Sequence, residues 1–128
     1  MGTTLVTVAL GGAIGAVLRF LVVSAALRSF GPGFPWGTLV VNVVGSFAMG
    51  VIAVLLMERM PGSWRNAAPF LITGVLGGFT TFSAFSLDVW SLVERGRFAA
   101  AGAYAGGSLL LAVSALVAGL FVARGATQ

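Results

Sequence analysis

Apolar residues run almost without interruption along this chain, and turn-forming or charged residues break the run in only three places. These are residues 29–35, with Gly31, Pro32, Gly33 and Pro35; residues 58–65, with Pro61 and Gly62; and residues 94–97, with Arg95, Gly96 and Arg97. A helix needs about 20 mostly apolar residues to cross a bilayer. The stretches between the breaks predict helices at roughly 4–27, 37–57, 69–92 and 99–123. The apolar/polar alternation of a membrane barrel is absent. No connector is long enough to separate domains and no internal repeat is visible, so residues 1–128 read as one all-α integral membrane domain of four transmembrane helices.

Composition removes several functional classes. The chain is 59% hydrophobic and 8% charged, with a mean hydropathy of +1.08, whereas soluble domains carry about 25% charged residues. It has no Cys, His or Lys, which excludes thiol chemistry, disulfides and histidine-based metal or acid/base sites. The net charge of +4 comes from seven arginines set against Glu58, Asp88 and Glu94. Those arginines are scattered rather than patched, which argues against nucleic acid as a partner. No acid/base pair or activated nucleophile suggests an enzyme, and residues 11–16 lack the lysine of a phosphate-binding loop. The first apolar stretch has no basic leader and contains Arg19, so it is expected to be a mature span rather than a signal peptide. Val6 stands where a myristoylation pattern wants Ser or Thr, so no lipid anchor is expected.

The third span holds the least membrane-like segment. Residues 74–86 read G-V-L-G-G-F-T-T-F-S-A-F-S, with the pair Gly77 and Gly78 and the hydroxyls of Thr80, Thr81, Ser83 and Ser86 at membrane depth. Irregular or polar backbone survives in hydrocarbon only when protein buries it or it lines a cavity or pathway. The expectation is a third helix broken near Gly77 and Thr80, serving to move or hold something polar.

Other residues share that character. Thr38, Asn42 and Ser46 recur every four residues along one face of the second span. Asn42 has donors and an acceptor that all need partners, so it either cross-links helices or lines a path. Arg19 shares a face with Gly11 and Gly15. An intramembrane charge is costly unless it reaches water or a partner, so Arg19 either snorkels outward or faces a water-filled, positive vestibule. Phe82 and Phe85 point to one side of the third span and read either as packing residues or as rings whose positive edges face an anion. Tyr104 and Ser108 share a face of the fourth span, and Gly102 with Gly106 form a small-residue pair suited to close helix approach.

Charge balance bears on orientation. With four spans, Arg59, Arg65 and Arg124 lie on one side of the membrane, and Arg28, Arg95 and Arg97 on the other. Lys/Arg asymmetry normally sets topology, and it is almost absent. Either insertion context decides, or the chain inserts both ways and pairs antiparallel, creating by assembly the inverted symmetry that other transporters encode internally.

Three segments together resemble one family. G-G-A-I-G-A-V-L-R-F (11–20), G-T-L-V-V-N-V-V-G-S-F (37–47) and G-G-F-T-T-F-S-A-F-S (77–86) are similar to the Fluc (CrcB) fluoride ion channels, and the likeness covers nearly the whole chain. The resemblance implies passive fluoride export across a bacterial cytoplasmic membrane by a dual-topology, antiparallel homodimer with two pores. It implies Asn42 as a pore amide and Phe82 and Phe85 as rings that meet fluoride edge-on. Tyr104 and Ser108 would continue a polar track, Thr38, Ser83 and Ser86 would be further lining, and Arg19 would stand near the vestibule. It also implies a structural Na+ held by backbone carbonyls of Gly77 and Thr80 from both copies. Ala112 and Leu116 depart from the family, which often has hydroxyls there, and Ala84 stands where relatives often have Thr or Ser.

Two other readings fit the layout less well. A proton-coupled multidrug exporter needs a membrane-embedded carboxylate, yet Glu58 and Glu94 fall in connectors and Asp88 lies toward the end of the third span. A non-transporting assembly subunit explains the glycine faces but not Asn42 beside a hydroxyl-rich break.

Overall fold

A computed structural model describes residues 1–126. Helix α1 (Gly2–Phe30) is followed by α2 (Trp36–Val54), whose end widens into a π-helical turn, Leu55–Arg59. A 3-10 turn, Gly62–Ala67, leads into a π-helical run, Pro69–Leu76, which tightens into α3 (Gly77–Phe79). After a break come α4 (Ser83–Glu94) and α5 (Phe98–Ala126). Four helical stretches, Gly2–Phe30, Trp36–Arg59, Gly62–Glu94 and Phe98–Ala126, are long and apolar enough to cross a membrane. The protein is a multi-pass membrane protein, and each expected span is present, extended by a few residues at its ends.

The connectors stop the helices by identifiable means. Met60 donates to Leu55 O at 2.8 Å, closing the π turn, and Pro61 then offers no amide to continue it. At the end of α4, Gly96 adopts φ 75°. Its amide bonds Val93 O and that of Arg97 bonds Leu92 O, both at 2.9 Å, the paired closure that a left-handed glycine permits. Arg95 and Arg97 then reach across to Pro32 O and Gly33 O, pinning the first connector over the end of α4.

Hydrocarbon supplies no hydrophobic drive between helices, so close backbone approach through small residues holds them together. A Cβ on Gly11 would lie 2.5 Å from Phe70 O, and one on Gly78 would lie 2.6 Å from Gly12 O. These glycines seat α1 directly on the third span. Gly50 on α2 abuts the backbone of Leu116 and Leu120, while Gly119 on α5 abuts that of Phe47 and Val51, so α2 and α5 interlock as parallel neighbours. By contrast, Gly102 and Gly106 meet nothing within 4 Å and lie on the open face of α5. A small cluster of Leu92, Ala101 and Tyr104, flanked by Phe34 and Phe85, packs where α4 turns into α5. At the far end, Arg124 makes a two-pronged pair with Glu58, 2.8 Å and 3.2 Å, joining the end of α5 to the turn after α2.

The break in the third span is present, at the Thr80 end of the expected interval. Gly77 and Gly78 are still helical, Gly77 at φ −63° and ψ −37°. Gly78 is small because of α1 rather than to weaken the helix. The chain becomes extended at Thr80, at φ −85° and ψ 157°.

Candidate permeation site

Breaking a helix in a membrane strands backbone groups that no water can satisfy. Asn42 meets two of them. Its Nδ2 donates to Thr81 O at 3.0 Å, and its Oδ1 accepts from the Thr81 amide at 2.8 Å. The side chain therefore takes the place of a missing helical turn, from 39 residues away in sequence. Cross-linking and facing a path are compatible here, because the pair uses one N–H of Nδ2 and leaves the second free.

The hydroxyls around the break are engaged in local bonds. Thr80 Oγ1 donates to Leu76 O at 2.9 Å, and Ser86 Oγ to Phe82 O at 3.0 Å. Thr81 Oγ1 accepts from the Ala84 amide at 3.1 Å and lies 3.3 Å from Ser83 Oγ. Gly45 on α2 has no Cβ to collide with the Thr80 methyl, which lets the break lie against α2.

Two backbone carbonyls lose their usual donors in the process. In a helix Gly77 O would accept from Thr81, whose amide goes to Asn42 instead. Thr80 O would accept from Ala84, whose amide goes to Thr81 Oγ1. Carbonyl oxygens are hard ligands suited to a small hard cation. The donors diverted are those of Gly77 and Thr80, the two residues expected to hold Na+, so their chemistry fits. Among the described residues no group of three or more His, Cys, Asp or Glu side chains could hold a metal instead.

A cleft of about 260 Å³ opens beside the break, lined by Asn42, Ser46, Phe82, Phe85, Ser108 and Ala112 together with Thr80, Thr81 and Leu109. Phe82 is 78% exposed, and its ring centroid is 5.5 Å from that of Phe85. Phe85 continues to Tyr104 at 5.2 Å, and Tyr104 meets Phe34 edge-on at 5.5 Å. Ser108 is buried, and its Oγ has no hydrogen-bond partner. An unmet hydroxyl in an apolar setting costs roughly 1–3 kcal/mol, a cost that a ligand able to accept its proton would remove.

A second cavity, about 420 Å³, lies across Thr81 and is walled by Arg19, Phe20, Thr38, Ala84 and Asp88. Arg19 Nε is buried there without a partner. Asp88 is engaged elsewhere, accepting from Tyr104 OH at 3.1 Å. Of the residues singled out from sequence, Asn42, Thr80, Phe82, Phe85 and Ser108 converge on the first cleft, while Arg19 and Thr38 line the second. Tyr104 packs behind Phe85, and Ser83 and Ser86 are exposed on the outer surface of α4.

Three residues were not singled out as site residues. Thr81 lines both cavities and anchors the break; nothing distinguished it from its hydroxyl neighbours in sequence. Asp88 was legible only as a lone acid inside a span, a signal of function by default. Ser46 belonged to the stripe of Thr38 and Asn42, and only the cleft separates it from a packing serine.

Comparison with known proteins identifies the family. The model of the family described as CrcB-like protein, Camphor Resistance (CrcB), matches residues 6–120. A fluoride-specific ion channel FluC of Cereibacter sphaeroides (strain ATCC 17029 / ATH 2.4.9) is 53% identical over 125 residues, covering 98% of each chain. One of Rhizobium etli (strain CIAT 652) is 57% identical over 117 residues, covering 91% of this chain and 93% of its own. Another, of Hyphomonas neptunium, is 56% identical over 117 residues, covering 91% and 92%. A four-span chain with a broken third helix, matched along nearly its whole length, belongs to the CrcB-like family.

Proposed function

We propose that this protein is a fluoride-selective channel that lets fluoride leave the cell passively. The observation that carries this reading is the cleft where a spare Asn42 N–H, a partnerless Ser108 hydroxyl and the rings of Phe82 and Phe85 meet with no carboxylate among them. Fluoride is small and tightly hydrated, so a pore must replace its water with donors. Amide and hydroxyl protons do that, and the positive edge of an aromatic ring adds attraction without offering a transferable proton. Chloride, being larger, fits donors spaced for fluoride poorly. Unpaired Arg19 raises the local potential of the adjoining cavity and favours anion entry.

The working unit is two antiparallel copies in a bacterial cytoplasmic membrane. Phe82 projects out of a single chain, and Gly77, Gly102 and Gly106 lie on open faces where a second backbone can approach closely. The three-against-three arginine balance suits insertion in both orientations. A structural Na+ fits the same assembly. The carbonyls of Gly77 and Thr80 in one chain make only half of a four-oxygen set, which both copies together would supply.

Fluoride efflux from liposomes carrying the purified protein, followed with a fluoride electrode, tests the function. The expected result is rapid release of fluoride with chloride retained. Release no faster than from empty vesicles would remove the channel reading.

A further inference from the structure

We propose that Ser46 is a fluoride-contacting residue, supplying from α2 the hydroxyl that α5 does not offer beyond Ser108. This rests on the channel reading above. Ser46 follows Asn42 by one helical turn on the same face, so its side chain lies about 6 Å further along the helix. It lines the same cleft as Asn42 and Ser108. At that end of the cleft the α5 residues are Leu109 and Ala112, which can donate nothing.

The level can be read from the interlocked glycines. Gly50 on α2 sits against Leu116 and Leu120, and Gly119 on α5 sits against Phe47 and Val51. With the two helices parallel, Ser46 falls beyond the level of Ser108, near Ala112. Thr80 lies at that level too, but its hydroxyl proton goes to Leu76 O, so an ion leaving Asn42 and Ser108 toward that end would meet no free donor from α2 or α5 were position 46 apolar.

The side chain is also available. A serine inside a membrane helix usually returns its proton to the carbonyl four residues earlier, as Ser86 does to Phe82 O. Ser46 makes no such bond: among the hydrogen bonds of the described residues, none involves its hydroxyl. Its half-buried hydroxyl is thus free in a cleft whose remaining wall is largely apolar. Packing does not explain a hydroxyl there, since alanine would fill nearly the same volume without an unmet polar group.

Fluoride efflux from liposomes tests the assignment, with wild-type release as the reference. Ser46→Ala is expected to slow efflux about tenfold, the scale of one hydrogen bond to an anion, and Ser46→Thr to preserve it. Adding Ala112→Ser to Ser46→Ala should restore much of the rate, by returning a donor to the same level from the opposite wall. A merely structural serine would not be rescued from another helix. Because the chain has no cysteine, Ser46→Cys gives a second readout: a small thiol-reactive reagent should block its efflux while sparing Val44→Cys, whose side chain is exposed away from the cleft. Wild-type efflux with an unaffected Ser46→Ala, or with an unblocked Ser46→Cys, would overturn this inference and leave the channel reading standing. Absence of wild-type efflux would overturn both.

Discussion

Asn42 and Phe82 both line the cleft, but a substitution at each should fail in a different way. Asn42→Asp replaces the donor to Thr81 O with a second acceptor and sets a negative charge in an anion path. Efflux should fall to the level of empty vesicles, and the protein should lose about 1–3 kcal/mol of stability through the stranded carbonyl, seen as a lowered unfolding temperature in detergent. Phe82→Ile should also abolish or greatly slow fluoride efflux, yet leave the packing within each chain unchanged, because the ring is exposed in the single chain. Unchanged flux in either variant would remove that residue from the pore. Tyr104 is a third case. Tyr104→Phe keeps the ring against Phe34 and Phe85 but leaves Asp88 without its donor. A loss of about 1–3 kcal/mol in thermal unfolding is expected, of the order seen for an unmet buried polar group.

At the scale of elements, glycines decide which helices touch. Gly78→Ala puts a Cβ where only 2.6 Å separates it from Gly12 O, a backbone atom that cannot swing aside. Overpacking of this kind costs typically 1–3 kcal/mol, and a marked drop in the yield of folded protein is expected on size-exclusion chromatography. Gly102→Ala, with open space around it, should leave the single chain's packing unchanged. The four spans were legible because span prediction needs only a local sum of hydropathy over about 20 residues. The break was legible too, since hydroxyls and glycines cluster there, but its cause was not. Gly77 and Gly78 stay helical, and the chain opens at Thr80, where Asn42 can receive the Thr81 amide. The π-helical run Pro69–Leu76 had no sequence signature, because a wider turn has the same hydrophobic content as an α-helical one.

For the whole molecule, orientation and assembly are coupled. Ser63→Lys together with Asn66→Lys adds two positive charges to the connector that already holds Arg59 and Arg65. Lys/Arg bias then favours a single orientation. A cysteine introduced at Thr3 should be labelled from both sides of the membrane in the otherwise unaltered protein and from one side in the charge variant. If antiparallel pairing makes the pores, that variant should insert normally and conduct little.

Sequence alone determined the solvent and the helix count, because both follow from composition summed over short windows and from the few places where charge and proline interrupt it. It also marked a polar break in the third span and the residue types around it. Tertiary structure decided what those residues do. The partner of Asn42 lies on another span, the freeing of the Gly77 and Thr80 carbonyls depends on where the Thr81 and Ala84 amides turn, and the place of Ser46 beside Ser108 depends on the register between α2 and α5. Such pairings are set by how helices approach in three dimensions, and no local window of the chain contains both members.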